Sequence, residues 1–158
     1  MTSLGQEAAR GRVRAVPEEV ALLLGALHLQ ALRRGGVEPA PGPPGHVPAF
    51  AAAWRARAAD LPAWVAECDG QHVGMAVCPL PLLPHLGTGV PELVTLECLG
   101  GHEEAVALAL VRTVVTWFGR QGHLSVDVAA GVRLPAAVLD AARADVLPQR
   151  RVSLPTRP

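Results

Sequence analysis

Two β-prone runs, Trp64-Val65-Ala66-Glu67-Cys68 and Gln71-His72-Val73-Gly74-Met75-Ala76-Val77-Cys78, are separated only by Asp69-Gly70. Asp-Gly accepts the positive φ angles of a two-residue hairpin turn, so the runs are expected to pair antiparallel. A sheet therefore lies at the centre of the chain. Before it, Arg12 to Val16 alternates as a short strand, and Pro17-Glu18-Glu19 opens a helix. Val20, Leu23, Leu24, Leu27 and Ala31 give that helix one apolar face, and Arg33-Arg34 followed by Gly35-Gly36 ends it. Residues 35–48 are rich in Pro and Gly and are expected to be irregular. Residues 49–59 read as a second helix, with Phe50, Trp54 and Ala58 on one face.

After the hairpin, a Pro-rich loop (79–91) leads to a strand over 92–99, and Gly100-Gly101 breaks the chain. Glu103-Glu104 opens a helix to about Arg120, expected to be buried on most sides because residues 105–111 are all apolar. A strand over 124–128, a helix over 134–144 with Val138, Leu139 and Ala142 inward, and a last strand near Arg150 to Leu154 complete the reading. The order is β-α-α-β-β-β-α-β-α-β, an α/β (α+β) mixed sheet with helices on its faces. Residues 1–11 are expected to be a flexible tail and residues 12–158 a single domain.

Composition narrows the function. There are 14 Lys+Arg and 14 Asp+Glu in 158 residues, and every basic residue is Arg. Without a basic face the chain is not expected to bind nucleic acid. No apolar stretch is long enough to span a bilayer, so no membrane role is expected. The first residues lack the apolar core of a signal peptide and the three cysteines do not suit a disulfide framework, which gives a cytoplasmic expectation. The chain also lacks Tyr, Lys, Ile and Asn, as a GC-rich genome would leave it, so neither tyrosine nor lysine can serve in its chemistry.

The element order, with the segments WVAECDGQHVGMAV, ELVTLECLGG, VVTWFGRQG and LSVDVAA, resembles the GCN5-related N-acetyltransferase (GNAT) superfamily over residues 12–154. The resemblance implies an acyl-CoA N-acyltransferase fold that opens between its fourth and fifth strands. It also implies acetyl-CoA as the acyl donor and a small-molecule amine as acceptor. In the family, the pyrophosphate rests on backbone N–H groups that open the following helix, in a motif Arg/Gln-x-x-Gly-x-Gly/Ala. Here that motif falls on His102, Glu103, Glu104, Ala105, Val106 and Ala107, a degenerate version in which two carboxylates stand near the phosphates. With Leu96 and Cys98 of the preceding strand, these are the candidate cofactor-binding residues. Family members often dimerise through sheet edges, so a homodimer is a further implication, with RRVSL a possible edge.

The resemblance makes Glu97 the favoured catalytic base, since the family often carries a Glu on this strand. Glu97 shares the parity of Leu93, Thr95 and Leu99, and an apolar strand should desolvate it and raise its pKa. Glu92 and Glu67 are weaker options. The family's usual acid, a Tyr on the helix after the fifth strand, is missing, and Cys98, His123 and Asp127 are the groups imaginable in its stead. Trp54, Trp64, His46 and His85 could line an acceptor pocket or simply pack. Cys68-x-x-x-His72 and Cys98-x-x-x-His102 repeat one spacing and could converge on zinc. The plainer reading makes the cysteines core residues and the histidines surface residues, with no metal expected. An alternative to acyl transfer is a GNAT-fold module that binds small molecules or partners through the altered cleft; Glu103, Glu104 and the missing Tyr favour it.

Overall fold

A computed structural model describes residues 11–81 and 89–146. The expected last strand, His85 and most of the proposed N-terminal tail lie outside the described residues. Four strands form an antiparallel sheet in the order β1 (Arg12–Ala15), β2 (Ala63–Cys68), β3 (Gln71–Val77) and β5 (Thr95–Cys98). The β2–β3 turn is the expected hairpin: Asp69 and Gly70 both take positive φ, 52° and 76°. A second, parallel pair joins β4 (Glu92–Leu93) to β6 (Asp127–Val128).

Helices cover both faces. A 3-10 turn at Glu18–Val20 leads into α1 (Ala21–Arg34), and α2 (His46–Arg55) packs beside it. Their side of the sheet buries Leu24, Leu27, Trp54, Val65, Met75 and Val77. On the other face α3 (Glu103–Arg120) and the short α4 (Ala136–Ala141) cover Trp64, Ala76, Cys78 and Leu93. The alternation of β2 and β3 explains the division, because successive side chains point to opposite faces. With so little aromatic volume, close approach substitutes for bulk. At Gly74 an added Cβ would lie 2.8 Å from both Glu97 O and Val106 Cγ1, so α3 rests almost on the β3 backbone.

Four expectations need correction. First, α2 begins at His46, inside the segment read as irregular. Gly45, at φ 86°, turns the chain, and Pro48 sits in the first helical turn, where its missing N–H costs nothing. Second, α3 buries one side: Val106, Ala107, Leu110, Val111, Val114 and Phe118 face inward, while Val115 is 48% exposed. Among the described residues the sheet and α4 cover it, and a single layer hides a stripe. Third, the strand and helix expected over 124–128 and 134–144 shorten to 127–128 and 136–141. β6 reaches only as far as its partners do: Asp127 N–H bonds Pro91 O and Ala129 N–H bonds Leu93 O.

The fourth correction shapes the site. The run 92–99 is two strands, not one. Val94 N–H bonds Val77 O at 3.1 Å, while Thr95 is already the register partner of Val77. Two residues thus oppose one, as in a β-bulge, and the parity slips. Leu93 joins the core under α3, whereas Glu97, opposite Met75, faces α1. After the bulge β5 follows β3 and leaves β6 behind.

Candidate functional site

The divergence of β5 from β6 opens a cleft of about 440 Å³. β5 supplies Thr95, Leu96, Glu97 and Cys98; His28 comes from α1, and Glu103 and Ala107 from α3. Gly131, Val132, Arg133 and Pro135, between β6 and α4, close the other side. Leu99 N–H bonds Val73 O at 2.7 Å, which fixes which β5 amides point toward β3. By alternation the backbone groups of Leu96 and Cys98 point the opposite way, into the opening. Cys98 O indeed accepts Arg34 Nη1 at 2.8 Å. The split strand thus turns a short peptide edge toward the opening, with Cys98 O already taken by Arg34.

A second recess, about 790 Å³, adjoins the first at Glu103 and lies over the start of α3. Arg34, Leu99, Gly100, Gly101, His102, Glu103, Glu104 and Ala105 line it. The first helical bond of α3 is Val106 N–H to His102 O, and no side chain caps the helix. The amides of the first turn therefore face the recess with the positive end of the helix dipole. Glu103 does not stand there as a bare charge: its Oε1 accepts Arg34 Nη2 at 2.9 Å.

Glu97 is half-buried, and burial raises its carboxyl above the ordinary Glu range, while Arg34 pulls it partly back. Burial, then Glu103 and Glu97, push the neighbouring Cys98 thiol up to about 11. His28 is the other titratable group on the α1 side. Its Nδ1 lies 2.9 Å from His46 Nε2, and its ring stacks on Phe50 at 4.7 Å. Burial, followed by the charge of His46, lowers its pKa.

Of the expected cofactor residues, Leu96, Cys98, Glu103 and Ala107 line the cleft, and His102, Glu103, Glu104 and Ala105 line the recess. Val106 lines neither; it packs against Gly74 and has given its N–H to His102. Glu97 lines the cleft, whereas Glu92 and Glu67 do not. Among the three suggested acids, only Cys98 lines it. Asp127, on β6, is the register partner of Glu92 on β4, and His123 packs edge-on against Phe118 at the far end of α3.

Trp54 and Trp64 are core residues, 4% and 2% exposed, so neither borders the cleft. Trp54 Nε1 donates to Leu61 O, which satisfies its only polar atom. His46 reaches the cleft only through His28. The zinc reading fails on topology: Cys68 is on β2 and Cys98 on β5, with β3 between them. His72 instead joins Arg14 and Glu67 in a polar group on β1, β2 and β3. Among the described residues, no three His, Cys, Asp or Glu side chains gather to hold a metal ion.

Sequence reasoning missed Arg34 and His28. Arg34 read as a charge at the helix pole, and its partners lie 64 and 69 residues away. His28 had a signal, since it sits one turn beyond Leu24 and beside Leu27, a polar residue on the border of an apolar stripe.

No protein-family model matches the sequence, and no curated protein matches it. Solved structures do. An aminoglycoside N-acetyltransferase in complex with CoA superposes with a TM-score of 0.69 at 17% identity, covering 98% of this chain and 100% of that one. A ribosomal-protein-alanine N-acetyltransferase from Brucella melitensis biovar Abortus 2308 gives 0.67 at 15% identity, covering 92% and 98%. A predicted acetyltransferase from Clostridium acetobutylicum with acetyl-CoA gives 0.69 at 13% identity, covering 92% and 96%.

Proposed function

We propose that this chain, which has the fold of the GCN5-related N-acetyltransferases, is an N-acyltransferase that moves an acyl group from acetyl-CoA to a small amine. The observation that carries the reading is the parting of β5 from β6 around a half-buried carboxylate. Structural neighbours holding CoA and acetyl-CoA support the donor. The chain's own groups fit it. The backbone groups of Leu96 and the N–H of Cys98, whose carbonyl Arg34 already holds, suit the amides of a pantetheine arm. The first-turn amides of α3, over Glu103, Glu104 and Ala105, suit a diphosphate. Arg34 neutralises Glu103 and brings the cation that His102 does not supply at the expected motif position. When bound, acetyl-CoA supplies the activated acyl group.

Glu97 acts as general base, directly or through one water, and takes a proton from the acceptor ammonium. Its partial desolvation favours that role, because a carboxylate with a raised pKa holds a proton better near neutrality. No tyrosine exists to protonate the departing sulfur. A thiol pKa near ~8.5 lets the thiolate leave unassisted. Aminoglycoside N-acetyltransferases among the neighbours make aminoglycosides reasonable first acceptors to test, together with polyamines and amino acids.

A second reading, a binding module without acyl transfer, draws on Glu103 and Glu104, which both line the recess. Calorimetry decides between them. Acetyl-CoA should bind in the micromolar range, and E97Q should bind it equally while losing turnover. Absence of heat up to millimolar acetyl-CoA would leave only the second reading.

A further inference from the structure

We infer that His28 is a further catalytic residue of this site, receiving a proton from the acceptor nitrogen, and that His46 is the positioning residue that holds it. The inference rests on the acyl-transfer reading. His28 and Glu97 line one cleft, the first from the α1 wall and the second from the sheet. His28 Nδ1 is committed to His46, so Nε2 is the ring nitrogen left for a ligand; no other hydrogen bond is made by His28 among the described residues. The ring is also fixed from the side by Phe50. Helix contact enforces the pairing. A Cβ on Gly25 would lie 2.5 Å from Val47 O, so α1 and α2 touch backbone to backbone one turn from His28 and beside His46.

The short bond limits protonation. A hydrogen bond between Nδ1 and Nε2 needs one N–H and one lone pair, so at most one of the two rings can be imidazolium while it persists. Burial opposes charge on His28 as well. When His28 donates Nδ1–H to His46, its Nε2 carries the free lone pair. The charged and titratable groups around it are His46 from α2, Glu97 and Cys98 from β5, Glu103 from α3 and Arg133 beyond β6, with Arg34 on its own helix.

Acylating an ammonium releases two protons from one nitrogen, and Glu97 accounts for only one. The first N–H proton passes to the Glu97 carboxylate, and the freed lone pair attacks the thioester carbonyl carbon. The C–N bond forms and the C–S bond breaks, its electron pair leaving with sulfur as thiolate. The nitrogen, positive again, gives its second proton to His28 Nε2 and becomes the amide. Both protons then go to water, and the thiolate takes one from solvent.

Imidazole NMR of the whole protein, titrated from pH 5 to 9, tests the pair apart from any turnover. His28 and His46 should together take up one proton over the range in which their bond persists. In H46Q the His28 titration should move up toward the ordinary histidine value, as one repelling charge is gone. Two independent titrations at ordinary values in the wild type would overturn the pairing. Steady-state assays with acetyl-CoA and a panel of aminoglycosides, polyamines and amino acids test the role. H28Q should lower kcat ~100-fold, the low end for a lost acid–base group. It should also erase the histidine limb of the pH profile and keep acetyl-CoA affinity within twofold. H46Q should lower kcat less and shift that limb. An H28Q enzyme with unchanged kcat and profile overturns the inference while leaving Glu97 in place. No acetylation of any amine by the wild type removes the acyl-transfer reading and the role of His28 with it, a result distinguishable because the NMR titration stands alone.

Discussion

Gly25→Ala tests whether the α1–α2 contact sets the His28–His46 bond. The new Cβ would meet Val47 O at 2.5 Å and Val47 Cα at 3.1 Å. Both are backbone atoms, so no rotamer change relieves the overlap. α2 must withdraw by about 0.9 Å before carbon and oxygen reach ordinary contact. His46 adjoins Val47 and moves with it. A withdrawal of that size stretches the 2.9 Å N···N bond beyond hydrogen-bonding distance. Overpacking costs ~1–3 kcal/mol. The lost hydrogen bond adds ~1 kcal/mol, and the better helix propensity of alanine returns ~1 kcal/mol. The net loss is ~1–3 kcal/mol, or a Tm lower by ~2–12 °C for a chain of this length. Differential scanning calorimetry reads the stability, and imidazole NMR reads the pair, whose titrations should become independent. An unchanged or raised Tm with coupled histidines intact would refute the claim that backbone contact at Gly25 enforces the pairing.

Gly74→Ala should also destabilise, because its Cβ meets Glu97 O and Val106 Cγ1 at 2.8 Å and Leu110 Cδ1 at 3.2 Å. A denaturant titration should show a loss of ~1–3 kcal/mol, and a wild-type midpoint would mean that α3 can retreat freely. Glu97→Gln should stabilise the protein at neutral pH although it disables the proposed base. Burial lifts the folded-state carboxyl above its unfolded value, so its contribution is fully present below the unfolded pKa and is lost as pH rises through the folded one. Gln does not titrate. Chemical denaturation should therefore find the two proteins similar at acid pH, with E97Q ahead above it; a wild-type advantage at neutral pH would show that Glu97 is not desolvated.

What was legible in the chain was what local chemistry decides. Asp69-Gly70 announces its turn because few residue pairs accept two successive positive φ angles. α3 announces itself by its acidic start and its unbroken apolar run, although that run suggested burial on most sides where only one is covered. The candidate site was legible only in part, for a physical reason. Residues 92–99 carry a pattern that suits one strand, and nothing local marks Val94 as the bulge. The break follows from competition for partners: Pro91 and Leu93 carbonyls are taken by β6, while Val94 and the residues after it are taken by β3. A strand bonded to one neighbour in its first half and another in its second must part from the first, and the gap it leaves is the cleft. The same limit applies to charge. Glu103 read alone is a carboxylate that repels phosphate; read with Arg34, it is one half of an ion pair that can open toward an anion. Glu104 has no such counterpart among the described residues, and its 1.5 Å rise along the helix from Glu103 leaves it at the same recess. The two neighbouring glutamates are therefore not equivalent: removing Glu103 frees Arg34 for a diphosphate, whereas removing Glu104 only lowers repulsion. E103Q should tighten acetyl-CoA binding more than E104Q, and calorimetry of the two variants measures the difference; equal affinities would mean that Arg34 does not reach the diphosphate.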